Sequence, residues 1–203
     1  MGFNFGQLVN NVQRELHLQD LIQQPLGIAA YPWLFAFLDQ IKVPKGIHKG
    51  EVFRDETGNV TSHLIGLFNL CIRLLSNHLR PVFIFEPYSC IKSIYSNIQS
   101  SGTFEANEKL MEGKMITPQM LEDSFILLDY FGIPYLKAPG KVDAQGAWMT
   151  ANGDLWAYIS TGEALLYGAS RVIQTFSVDL HRANSSKRKK SLLMLSKRAS
   201  FIN

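Results

Sequence analysis

The chain has 203 residues, 46% hydrophobic and 18% charged. That is ordinary composition for one globular domain, too apolar for a disordered chain and long enough to bury a core without disulfides or structural metal. The net charge of +3 is unevenly placed: seven Lys/Arg and no Asp/Glu lie from Leu180 onward, which leaves the first 179 residues at −4. The basic tail, and not the mildly acidic body, therefore points at acidic partners. Cys71 and Cys90 are the only cysteines and the five histidines are scattered, so no disulfide framework or zinc site is expected, and a reducing, intracellular location is (cytoplasmic, or nuclear if eukaryotic). The N-terminus lacks the pattern of a signal peptide. The longest mostly apolar stretch, 64–75, contains Asn69 and Arg73 and is too short to span a bilayer, so no membrane association is expected.

In chain order, Leu26-Gly-Ile-Ala-Ala30 reads as a buried strand and 33–41 as a helix with Pro32 in its first turn. Residues 43–58 read as loop or hairpin. Residues 59–77 carry Leu64, Leu67, Phe68, Cys71, Ile72 and Leu75 at helical spacing. Pro81-Val-Phe-Ile-Phe-Glu86 is a second strand. Residues 87–113 show only weak helical pattern, broken by Ser-Ser-Gly at 100–102. Thr117-Pro118 opens the next helix, with Thr as N-cap and Pro at the first position, ending near Gly132. Strands are expected at 133–136, 155–159 and 171–176, with a small-residue helix at 140–151. Trp33, Phe37, Tyr130, Trp148 and Trp156 are assigned to core packing. The segment 182–198 mixes Lys187, Arg188, Lys189 and Lys190 with Leu192, Leu193, Met194 and Leu195 and is expected to form a short amphipathic helix that docks on the body, a partner or nucleic acid.

Strands alternating with helices predict an α/β fold with a mainly parallel, buried sheet. Ligands bind such sheets beyond the carboxyl ends of the strands. The residues of interest are therefore Ala29 and Ala30, Glu86, the 138–143 loop and 160–163.

The ordered blocks Leu26-Gly-Ile-Ala-Ala30, Gly58-Asn-Val-Thr-Ser-His-Leu-Ile-Gly66, Arg80-Pro-Val-Phe-Ile-Phe-Glu86, Gly132-Ile-Pro-Tyr-Leu-Lys-Ala-Pro139, Asp143-Ala-Gln145 and Ala164-Leu-Leu-Tyr-Gly-Ala169 resemble the flap endonucleases, structure-specific 5′ nucleases of the XPG/Rad2 family. The resemblance covers about residues 1–178. It implies a PIN-like three-layer α/β fold with a mainly parallel central sheet, a shortened arch at 87–116, no helix–hairpin–helix region, and a basic tail at 179–203.

The family's chemistry implies two divalent cations offset by several carboxylates at the strand ends, which activate water and stabilise the leaving oxygen. Matched position by position, much of that set is replaced. Ala29 stands where the family's first Asp would be, and Glu86 stands for the second. In Lys137-Ala-Pro-Gly-Lys-Val-Asp-Ala144 the two metal-side glutamates become Lys141 and Asp143. In Ser160-Thr-Gly-Glu-Ala-Leu-Leu-Tyr-Gly168 one residue is missing, the first aspartate becomes Gly162 or is deleted, and the second becomes Glu163. Three carboxylates remain (Glu86, Asp143 and Glu163), and a lysine has joined them. If Lys141 points into the site, it pairs with one of these acids in place of a metal.

The cofactor expected is therefore none, or one weakly bound Mg²⁺ or Mn²⁺. Gly2, Arg54, Arg73 and Lys92 match nucleic-acid-facing positions of the family, and Gln99 stands where its scissile-phosphate arginine would be. The resemblance implies a catalytically impaired domain, a pseudonuclease, acting as a nucleic-acid-binding or protein-interaction subunit of a larger nucleoprotein assembly with no small-molecule substrate. Lys187, Arg188, Lys189 and Lys190 of the tail are the candidate contacts. Two rivals stand beside it: an active Mg²⁺/Mn²⁺-dependent 5′ nuclease with a site rebuilt on Glu86, Asp143 and Glu163, and a pure protein scaffold.

Overall fold

The computed structural model describes residues 13–90, 115–160, 162–175 and 192–196. The described strands are β1 (Gln13–Leu16), β2 (Pro25–Ala29), β3 (Arg80–Phe85), β4 (Tyr135–Lys137), β5 (Ala157–Ile159), β6 (Arg171–Thr175) and β7 (Leu192–Ser196). The described α-helices are α1 (Ala30–Gln40), α2 (Ser62–Ser76), α3 (Pro118–Phe131) and α4 (Val142–Asn152). The strands form one sheet in the order β1-β7-β6-β5-β2-β3-β4. Its central five strands are all parallel, as the alternation of apolar runs and helices requires.

Two strands at one side run antiparallel. β7 pairs with β6, Val172 opposite Leu195, and β1 pairs with β7, Gln13 opposite Leu195. This corrects the helix expected over the apolar part of the tail. Four successive apolar residues suit a strand as well as a helix face, and pairing with two distant strands decides between them. Among the described residues, no helix is long and apolar enough to cross a membrane.

The chain divides into two compact units. One comprises Met1–Ala29, Arg73–Ile84 and Val142–Asn203. In it, Gly27 of β2 is the register partner of Tyr158 of β5. The Tyr158 ring is fully buried and occupies space that β-carbons at two glycines would need. A Cβ at Gly27 would stand 3.0 Å from Tyr158 Cδ2 and 2.5 Å from Leu155 Cδ1, and one at Gly146 of α4 would stand 2.7 Å from three ring carbons. The two glycines let the ring lie between the sheet and α4, which brings that helix close to the strands. Trp148, expected in the core, is instead 59% exposed on the outer side of α4. Trp156 is half-buried beneath Arg171, whose guanidinium lies 5.0 Å from the ring centroid and whose Nη1 donates to the Trp156 carbonyl at 3.1 Å.

The other unit comprises Ala30–Ile72 and Phe85–Lys141. Its helix α3 is capped as its sequence predicts: the Thr117 hydroxyl accepts from the Met120 amide at 3.2 Å, and Gly132 takes the left-handed C-terminal position at φ +64°. Phe85 packs edge-on against Phe125 at 4.8 Å, and Phe125 stacks on Tyr135 at 4.8 Å. Lys137 Nζ lies 4.2 Å over the Phe125 ring and 3.8 Å from Glu122 Oε1. The buried face of α1 is Tyr31, Leu34 and Leu38. Trp33 and Phe37 are only half-buried, and Tyr130 is 87% exposed. In α2 the buried residues include His63, Leu67, Leu70 and Cys71, while Phe68 is 46% exposed. Helical spacing finds an apolar stripe; which edge of the stripe faces inward depends on the neighbouring elements.

His63 is fully buried, and among the described residues no well-formed hydrogen bond reaches either ring nitrogen. Burial pulls its pKa down to about 4, against a weaker upward pull from Asp123 and the Met120 carbonyl. The folded form therefore resists a proton that the unfolded chain accepts.

Two outcomes follow. Gly27→Ala should lower unfolding free energy by about 1–3 kcal/mol, because the added methyl overpacks against two buried side chains. Denaturant unfolding of the variant beside wild type checks it. Stability should fall as pH drops from 6.5 toward 4, where the unfolded state binds the proton and the folded state does not. His63→Leu should flatten that part of the pH–stability curve.

Candidate nucleic-acid interface and metal positions

Ala29 closes β2. It is buried and pairs in register with Ile84, and its methyl side chain offers no ligand atom. β5 ends at Ile159, and the Ser160 amide donates to the Ile173 carbonyl of β6 at 3.2 Å. That bond fastens the following loop to β6. The loop enters a short 3-10 turn, Glu163–Leu165, through Gly162 at φ +104°, and the Leu165 amide donates back to the Gly162 carbonyl at 3.1 Å. Gly162 is buried and Glu163 is exposed. A β-carbon at Gly162 would run into Nε2 of Gln174 and would lie 3.2 Å from its Cδ. Asp143 is half-buried in the first turn of α4, where a carboxylate is favoured by the amide groups of the helix start. Ala29, Asp143, Gly162 and Glu163 thus belong to one compact unit.

Glu86 and Lys141 belong to the other. The chain at Glu86 is fixed through its backbone: the Glu86 carbonyl accepts from the Tyr31 hydroxyl at 3.0 Å, and just before it the Phe85 carbonyl accepts from the Ala138 amide at 2.8 Å. The Glu86 side chain is half-buried. Lys141 is exposed, and among the described residues it makes no ion pair with an acid. A lysine–carboxylate pair in place of a metal would need Lys141 to point into the site, and its side chain is exposed to solvent instead.

Six residues were expected to hold a metal or to have lost it by substitution: Glu86, Asp143 and Glu163 as remaining acids, and Ala29, Lys141 and Gly162 as replacements. A divalent cation needs several oxygen ligands converging on it. Neither Ala29 nor Gly162 has a side-chain oxygen to supply, and the flexible end of the Gln174 side chain lies where a side chain at 162 would begin. Among the described residues no group of three or more His, Cys, Asp or Glu side chains gathers to hold one ion. At Ala29 and Gly162 the side-chain oxygens that a two-metal centre would use are lacking.

Of the expected nucleic-acid contacts, Arg54 sits exposed in the loop before α2. Its Nη1 donates to the Gly58 carbonyl at 2.8 Å, in a loop organised around Asp55. Thr57 Oγ1 donates to Asp55 Oδ1 at 2.8 Å and the Asn59 amide donates to the same oxygen at 2.8 Å. These bonds, the Thr57 hydroxyl foremost, hold the Asp55 carboxyl below its usual range. Arg73 is half-buried in the last turn of α2, and its carbonyl accepts from Asn77 Nδ2 at 2.7 Å. Gly2, Lys92, Gln99, Lys187, Arg188, Lys189 and Lys190 lie outside the described residues, as does most of the expected arch. Gln174 escaped the sequence reading. Its one signal is a polar residue directly after the buried pair Val172 and Ile173.

Two family models match this chain: the XPG N-terminal domain over residues 1–94 and the XPG I-region over residues 132–201. The chain is an XPG/Rad2 flap-endonuclease-like domain. Flap endonuclease 1 of Methanocella arvoryzae is 30% identical over 196 residues, covering 88% of this chain and 56% of that protein. Flap endonuclease 1 of Aeropyrum pernix is 30% identical over 197 residues, with 88% and 55% coverage. The chain thus spans little more than half the length of the curated relatives it matches. Among solved structures, flap endonuclease-1 from Methanococcus jannaschii is 25% identical with a TM-score of 0.63, covering 96% of this chain and 62% of that one. The catalytic core of Rad2 in complex with DNA substrate shares the fold at a TM-score of 0.64 and 21% identity, covering 95% of this chain and 53% of that one. The PIN-like fold is the one expected from the sequence.

Proposed function

We propose that this XPG/Rad2-type domain is a pseudonuclease: it binds nucleic acid as a subunit of a larger nucleoprotein assembly and does not cut it efficiently. The observation that carries this reading is the pair of positions at the ends of β2 and β5. Ala29 and Gly162 offer no side-chain oxygen where two cations would need carboxylates, and the Gln174 carboxamide lies beside the second position. Glu86, Asp143 and Glu163 retain charge, and one or two carboxylates with water suffice at most for a single weak Mg²⁺ or Mn²⁺. Such an ion lacks the partner that an in-line displacement uses.

DNA is the nucleic acid favoured, since Rad2 is found with a DNA substrate and GEN1 with Holliday junction DNA. Recognition rests on charge. The basic run at 187–190 supplies four cations within four residues, and each phosphate neutralised releases counterions, so affinity falls steeply with salt. Arg54 and Arg73 are the body's contributions. The half-length match to the relatives makes the remaining grip on DNA, and the protein partner, part of the proposal.

The test uses a labelled 5′-flap duplex with Mg²⁺ or Mn²⁺. The full chain should retain the duplex at low salt, lose it as salt rises, and leave it intact. Replacing Lys187, Arg188, Lys189 and Lys190 with Gln should weaken retention by about 10-fold or more and flatten the salt dependence. Metal-dependent cleavage that disappears in Glu86→Ala establishes the rebuilt-nuclease reading instead. An unchanged affinity in the Gln variant removes the tail from the interface.

A further inference from the structure

We propose that the apolar groove between α2 and α3 takes an amphipathic helix of a partner protein, one that carries Lys or Arg at the edge of its apolar face. The inference rests on the reading of this domain as a subunit of an assembly, and gives the partner a chemistry. The groove has a volume of about 410 Å³ and is lined by Leu64, Ile65, Phe68 and Asn69 of α2 and by Asp123 and Leu127 of α3. All six belong to one compact unit. Ile65 and Phe68 are exposed on one wall, and Ile126 and Tyr130 are exposed on the helix that forms the other. Spacings of three and four residues set Asp123, Ile126, Leu127 and Tyr130 along one stripe of α3, and put Leu64 and Ile65 beside Phe68 on α2. The Phe68 ring lies 5.4 Å from that of Phe131, which joins the two helices at one end of the cleft. Apolar side chains scattered singly over a surface need no partner; two stripes that meet along a cleft mark a contact surface.

Shape and charge select the occupant. Both walls are helices whose backbone groups are bonded internally, so the groove offers no strand edge and is read through side chains alone. From Asp123 to Tyr130 the stripe rises about 10 Å at 1.5 Å per residue, two turns of a docked helix. The polar edge supplies acceptors and a negative charge. Asn69 donates its Nδ2 to the Ile65 carbonyl at 2.8 Å, which leaves its Oδ1 as acceptor. Asp123 Oδ1 accepts from Gln119 Nε2, a neutral group, at 2.9 Å, and among the described residues Asp123 forms no ion pair. His63 feels the Asp123 charge, but burial pulls its pKa down to about 4, so it is neutral near pH 7 and offsets nothing. The groove residues include an acid and no Lys or Arg. A second copy of the chain would bring the same acid with no cation to meet it, so this face is not complementary to itself. The chain's own mixture of basic and apolar residues at 187–195 is already engaged, since Leu192–Ser196 is strand β7. A partner helix with apolar residues at i, i+3, i+4 and i+7 and a flanking Lys or Arg satisfies both the stripes and Asp123.

The test is a display library of peptides about four helical turns long, apolar at i, i+3, i+4 and i+7 and random at the flanking positions, selected on the full chain. Selected sequences should carry Lys or Arg beside the apolar face. By fluorescence anisotropy, their affinity should fall about 10-fold or more in Phe68→Ser and about 3-fold in Asp123→Asn. Tyr130→Ser should weaken them as well. Tyr130 is 87% exposed and has little packing to lose, so this variant serves if Phe68→Ser does not fold.

No enrichment over the unselected library, enrichment without basic residues, or affinity that all three variants leave unchanged overturns the proposal. A concentration-dependent dimer of wild type in sedimentation, lost in Tyr130→Ser, overturns it in favour of a second copy. Retention and cleavage of the 5′-flap duplex are followed on the same preparation. Cleavage overturns the pseudonuclease reading and not the groove; failed selection beside normal flap retention overturns the groove and not that reading.

Discussion

The Tyr158 ring, held between Gly27 and Gly146, is the contact on which the rest of its unit depends. A buried aromatic ring over two glycines sets the distance between α4 and the parallel strands β2 and β5. That distance decides where the first turn of α4, with Asp143, stands relative to the ends of those strands. Packing at this density leaves no slack for a single added methyl. The family fold persists here because its scaffold is fixed by such contacts, and these are independent of any metal.

The strand ends are under a different constraint. Carboxylates gathered at one place repel one another unless cations offset them, so a two-metal centre and its acids are kept or lost together. On the pseudonuclease reading, the balance in this chain is relieved by removal. Ala29 is buried and apolar, Gly162 has no side chain, and Gln174 brings a neutral group beside it. Glu163 and Lys141 are exposed, where water and salt screen them. Each of these states is stable without an ion.

Much of the parallel sheet was legible in the sequence because its strands are continuous apolar runs, such as Val82-Phe83-Ile84-Phe85, and because α3 announces its start with Thr117-Pro118. The antiparallel additions β1 and β7 were not legible. Their pairing joins residues about 180 positions apart, and local pattern cannot report it. The outward turn of Trp148 and Tyr130 was missed for a related reason: periodicity identifies a stripe but not which of its edges a neighbour covers. At the candidate site, the missing acids at Ala29 and Gly162 were readable through the family resemblance. The approach of Gln174 to Gly162 was not, since it depends on how the loop after β5 meets β6, where the Ser160 amide bonds the Ile173 carbonyl.

The most direct test of the central claim is a calorimetric titration of the purified full chain with Mn²⁺ and Mg²⁺, with 5′-flap cleavage followed on the same preparation. The account predicts at most one weakly bound ion and an intact flap. Two bound ions together with cleavage would contradict it, and would show that Glu86, Asp143 and Glu163 have been rebuilt into a working centre.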